Sequence, residues 1–203
     1  MATTAFASPL MIDLRRGRDE FVEEDRDADL VALARTEPHA ALRLVMRRHG
    51  PAVFRFCRAQ LRDAALADDV HQQVFIEAHR DLPTFAGRST LRAWLFGIAR
   101  HRVIDAALAR RRTAERVDAD ASPDPIDPAG APDEQLDRAR LRRALAASLA
   151  TLPDEVRGAV LLRYQQGFSF EEMAEVCKEK PGTLQARVAR ALRALRTQIE
   201  AQL

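Results

Sequence analysis

The stretch LPDEVRGAVLLRYQQGFSFEEMAEVCKEKPGTLQARVARALRAL, Leu152 to Leu195, decides the fold. Pro153 precedes a helix carrying Val156, Val160 and Leu161, and Gly167 stops it. Ser169 and Glu172 have the spacing of a capping box ahead of Met173 and Val176. After a break near Lys178 a last helix is predicted from about Pro181. It carries Leu184, Val188, Leu192, Leu195 and Ile199 on one face, with Thr183, Arg187 and Arg190 turned away. A short helix, a tight break and a longer helix with an arginine face have the plan of a helix-turn-helix, whose second helix enters the DNA major groove.

Working upstream, a helix is expected from about Asp133 to Ala150, preceded by VDADASPDPIDPAGAPDEQLD (Val117 to Asp137). That segment holds four of the ten prolines and almost no large apolar residue, so it cannot bury a core and reads as a flexible linker. The domains are therefore placed at 27–116 and 138–203, joined by the linker over 117–137 and preceded by an acidic flexible tail over 1–26. In the first domain, Pro38 and Pro51 each stand where prolines start helices, before Leu42, Val45, Met46 and before Val53, Phe54, Cys57, Leu61. Asp63 opens a third helix with Leu66, Val70, Val74 and Ala78 at four-residue spacing. Pro83 to Arg88 form a loop, and Ser89 is the expected N-cap of a fourth helix. Its Leu91, Trp94, Leu95 and Ile98 follow helical spacing into Arg110, Arg111 and Arg112.

Strong helix formers dominate and β-branched residues are few, so the expected fold class is all-α: two small helical domains on a flexible acidic linker. The 203 residues are 47% hydrophobic and 31% charged. No uncharged apolar run reaches the roughly 18 residues a spanning helix needs, and Met1 to Ile12 lacks the build of a signal peptide. A cytoplasmic protein without membrane insertion is expected. Cys57 and Cys177, far apart in sequence, read as core thiols in a reducing compartment.

The net charge of +2 conceals a block pattern. Residues 1–30 sum to −4, 31–118 to +7, 119–137 to −6 and 138–203 to +5. Two basic blocks joined by an acidic strap fit a polyanion gripped at two points, or solvated helix faces. Catalysis has no visible carrier: the chain contains no glycine-rich phosphate loop, nucleophile elbow, HExxH or CxxC. His71 and His79 stand eight apart, whereas helical metal pairs use three or four, so neither metal nor cofactor is expected. Asp68 and Asp69 point about 100° apart on a helix and suit a partner-facing or solvated role better than paired acid chemistry. Trp94 lies on the apolar stripe and reads as core before base-stacking platform. The Arg110 to Arg112 run is either a solubilising helix end or a nucleic-acid contact.

At these residues the chain resembles the extracytoplasmic-function (ECF) group of bacterial sigma factors. LADDVHQQVFIEAHRDLPTFAGRSTLRAWLFGIARHRVID (Leu66 to Asp105) is similar to that family's region 2, and Leu152 to Leu195 to its region 4. The resemblance implies a non-enzymatic subunit that directs core RNA polymerase to promoters and promotes minus-ten melting. It assigns docking on the clamp coiled coil of the largest polymerase subunit to Asp68, Asp69, Gln72, Gln73 and Phe75. It assigns the minus-ten element to Phe85, Arg88, Ser89, Arg92, Arg100, His101 and Arg102, and the minus-thirty-five element to Thr183, Gln185, Arg187 and Arg190. The implied partners are core polymerase, through the clamp and the flap, promoter DNA and an anti-sigma factor. The chain departs from the family pattern at Gln73, His101, Gln185 and Ala186. It also departs at Lys178, Glu179 and Lys180, where the turn usually carries Gly, an apolar residue and Ser or Thr. An operator-binding dimer would also use the helix-turn-helix but would not need the first block. An interaction protein that only occupies polymerase would need no transcription.

Overall fold

A computed structural model of the chain describes residues 27–114 and 143–200. The expected tail, the linker and the start of the helix near Asp133 lie outside the described residues, and all regular structure within them is helical. A first unit comprises α1 (27–36), α2 (Pro38–Leu61), α3 (Ala64–Asp81) and α4 (Leu91–Ala114), with a 3-10 turn at Leu82–Thr84. The second comprises α5 (143–151), α6 (Asp154–Val160), α7 (Phe170–Cys177) and α8 (Pro181–Glu200).

Pro38 starts α2 as expected, but Pro51 lies inside it, so the two short helices expected here are one helix of 24 residues. An interior proline costs about 3 kcal/mol. The apolar faces on both sides of it, Ala41 and Val45 before, Val53, Phe56 and Cys57 after, are buried in one core, and that burial outweighs the lost donor. Asp63 caps α3, its Oδ1 accepting from the Leu66 amide at 3.0 Å. Thr90, not Ser89, caps α4: its Oγ1 accepts from the Ala93 amide at 3.1 Å. Asp27 of α1 completes this cap, taking the Leu91 amide at 3.0 Å on one carboxylate oxygen and Arg48 at 3.1 Å on the other. The loop therefore runs past Arg88 to Thr90, longer than expected.

In the second unit α6 runs into a π-type turn at Leu161–Gln165, and Gly167, with φ +73°, reverses the chain. The capping box at Ser169 and Glu172 is complete. Lys178 ends α7 in the left-handed conformation, φ 56°, making the break before α8. The buried face of α8 is Leu184, Val188, Ala191 and Leu195. Leu192, expected on it, is turned toward the rim and exposed, because at about 100° per residue it falls beyond the Val188 edge of that stripe.

The two units share a seam that their sequence patterns do not announce. Phe96 of α4 packs edge-on against Phe56 at 5.6 Å and against Phe168 of the second unit at 5.1 Å. Beside it Arg157 is 3% exposed and reaches across to α2, donating to Gln60 Oε1 at 3.0 Å and to the Gln60 carbonyl at 2.9 Å. The same guanidinium holds the Leu152 carbonyl at 3.1 Å and the Asp154 carboxylate. A Cβ on Gly158 would come within 2.8 Å of Gln60 Nε2, so a larger residue there must displace the Gln60 amide.

Candidate nucleic-acid interface

On α3 the residues divide by face. Val70, Val74 and Ala78 are buried, whereas Asp68, Asp69, Gln72 and Gln73 point outward together. Phe75, expected on the outward face, is only 3% exposed, because it packs edge-on against His71 at 5.0 Å, which in turn meets Phe54 of α2 at 5.5 Å. The exposed apolar side chain on the outer surface is Ile76, 70% accessible, which the sequence reading passed over. Its signal was an isoleucine two positions from both Val74 and Ala78, on the helix face opposite their stripe.

The loop after α3 forms one wall of a cavity of about 860 Å³. Phe85, Arg88 and Ser89 line it from the loop, Asp27, Val31 and Arg35 from α1, and Glu171, Glu172 and Glu175 from α7. Phe85 rests on Trp94 at 5.2 Å, so the tryptophan supports the loop from the core side. Arg88 is exposed. Arg92, which the resemblance groups with Arg88, lies on α4 rather than in the loop. It turns into the seam, stacking over Phe168 at 4.2 Å and donating to the Gln166 carbonyl.

Farther along α4 the three polar residues have three settings. Arg100 lies 4.0 Å from Glu179, in the turn between α7 and α8. His101 is exposed, 3.3 Å from Asp105. Arg102 is bound to Glu77 of α3, its Nε donating at 2.6 Å, which braces the two helices. On α8 Thr183, Gln185 and Arg190 are exposed and Arg187 is half-buried. Arg187 forks onto Glu179, donating at 2.7 and 2.5 Å to its two carboxylate oxygens. The Arg187 hydrogen bond holds the Glu179 carboxyl below the usual carboxylate range and raises Arg187 in return. Glu179, Arg157 and Asp27 are the polar residues that sequence reading missed as organisers; only Glu179, an acid in a turn before an arginine helix, carried a local signal.

A four-helix unit with an acidic outer helix face, followed by a helix-turn-helix, is the build of a bacterial sigma factor. The sequence matches the families described as Sigma-70 region 2, over residues 45–113, and Sigma-70, region 4, over residues 142–195. It is 35% identical over 149 residues to the ECF RNA polymerase sigma factor SigC of Mycobacterium tuberculosis, covering 70% of this chain and 75% of that one. It is 27% identical to the RNA polymerase sigma-H factor of Pseudomonas aeruginosa, over 85% of this chain and 93% of the relative. Among solved structures it resembles the sigma factor RpoE of Bartonella quintana in complex with the anti-sigma factor NepR, with a TM-score of 0.66 and 26% identity over 78% of this chain and 96% of that one. It also resembles CnrH in complex with the cytosolic domain of CnrY, with a TM-score of 0.65 and 26% identity over 86% and 97%. The chain belongs to the ECF group of RNA polymerase sigma factors, the subunits that direct core polymerase to specific promoters. Among the described residues no helix is long and apolar enough to cross a membrane.

Proposed function

We propose that this sigma factor divides its work among three surfaces and performs no catalysis of its own. The outer face of α3, with Asp68, Asp69, Gln72, Gln73 and Ile76, docks on the clamp of the largest polymerase subunit, as an amphipathic helix with a mixed polar and apolar outer face suits. The loop from Pro83 to Arg88 and the following helix serve the minus-ten element. Exposed Thr183, Gln185 and Arg190, with Arg187, serve the minus-thirty-five element from α8. Phe75 supports the docking helix from behind. Domain limits of 27–116 and 138–203, a cytoplasmic location and an anti-sigma partner belong to the same reading; the structural relative RpoE is bound to an anti-sigma factor.

The observation that carries the minus-ten assignment is the cavity beside the loop. It is large enough for a nucleobase, and Ser89 and Arg88 at its wall supply a hydroxyl and a cation to offset an unstacking cost of a few kcal/mol. Permanganate footprinting of holoenzyme on a supercoiled promoter tests it. Arg88→Ala should reduce strand opening by about tenfold while closed-complex binding falls far less. Equal losses in the two steps would make Arg88 a general phosphate clamp.

A further inference from the structure

One carboxylate holds a cation from each of the two DNA-facing elements. Glu179 forks onto Arg187 of α8 at 2.7 and 2.5 Å and stands 4.0 Å from Nη2 of Arg100 on α4. The three side chains are partly withdrawn from solvent, Arg100 and Arg187 at 19% and Glu179 at 25% exposure. Glu155 adds a more distant negative charge near Arg187. A planar anion offering two oxygens to a guanidinium fork presents what a backbone phosphate presents.

We propose that Glu179 sets DNA affinity as an intramolecular stand-in for a phosphate, occupying Arg187 and Arg100 until duplex DNA displaces it. The proposal rests on the assignment of those arginines to DNA. A tethered carboxylate competes at an effective concentration in the millimolar range, so weak contacts with arbitrary duplex do not dislodge it. A promoter that adds base-edge contacts to exposed Thr183, Gln185 and Arg190 does. Because the same carboxylate faces both units, losing Arg187 to DNA also weakens the hold on Arg100, and engagement of the two elements is coupled.

The test is a salt series of fluorescence anisotropy titrations of the full chain against a short random-sequence duplex. The proteins are the parent, Glu179→Gln, Arg187→Ala and the double variant, each checked for helix content and melting temperature. Glu179→Gln should bind about threefold or more tighter at low salt, with a log–log salt slope steeper by about one to two, and the gain should shrink in the double variant. Unchanged binding by Glu179→Gln, with Arg187→Ala weakened, overturns the stand-in role and leaves Arg187 a DNA contact. Weaker binding by Glu179→Gln also overturns it, because Glu179 would then brace Arg187 for DNA. No effect from either substitution removes Arg187 from the DNA surface altogether. Should the glutamine variant not fold, Glu179→Ala must give the same direction.

Discussion

Arg157 is the residue on which the join between the two units depends most. Burial pushes its guanidinium below the ordinary arginine range, opposed by the Asp154 carboxylate, and its donors satisfy the Leu152 and Gln60 carbonyls and the Gln60 side chain. Arg157→Leu leaves those acceptors buried and unpaired and should cost about 2 to 4 kcal/mol. Trp94, the single tryptophan, reports on the first unit alone, so urea unfolding followed by its fluorescence and by helix circular dichroism should split into two curves in the variant. Coincident curves with an unshifted midpoint would place the seam's energy in the phenylalanine contacts instead. Cys57 carries a prediction in pH. Burial pushes its thiol up from 9.0 to about 12. The fold therefore favours the protonated thiol, and this contribution is whole below about pH 9 and lost between about 9 and 12 as the unfolded chain ionises first. Cys57→Ala should flatten the fall in stability over that window; an identical fall in both proteins would assign it to other groups.

At the scale of elements, sequence spoke clearly where partners are local. The caps at Asp63 and Ser169, the break at Lys178 and the stripe of α3 all follow from residues three or four apart. It misled where the deciding partner is distant. Pro51 does not start a helix, because a common core holds both halves of α2 straight through it. Thr90 rather than Ser89 caps α4, because Asp27, 64 residues away, takes the next amide. The outer face of α3 was half legible: the polar residues were visible, but Phe75 and Ile76 are adjacent apolar residues, and only packing decides which one faces out. The corrected face gives a prediction. Ile76→Ser, and separately Asp69→Lys, should weaken binding to core polymerase by about tenfold with a melting temperature within a few degrees of the parent, since neither side chain is buried. Unchanged core affinity in the combined variant would move the interface off this helix.

The whole molecule joins two helical units whose sequence motifs are separable but whose side chains are not. Gln60 and Arg157 meet across 97 residues, and Arg92 packs on Phe168 and donates to the Gln166 carbonyl. Nothing in helical periodicity predicts such pairs, because their partners are set by how the units pack. The polar face of α8 was legible because exposed Thr183, Gln185 and Arg190 follow from the helix's own spacing. The occupation of Arg187 and Arg100 by Glu179 was not, since an acid in a turn has no periodicity to betray its target. The measurement closest to the central claim is multi-round transcription with purified core polymerase on a genomic promoter library, with and without this protein. The account predicts a discrete set of promoter-dependent transcripts that appear only when chain and core are both present, and that fall by about tenfold with Arg88→Ala. Tight, specific duplex binding by the chain alone, with no transcript from the combination, would contradict it.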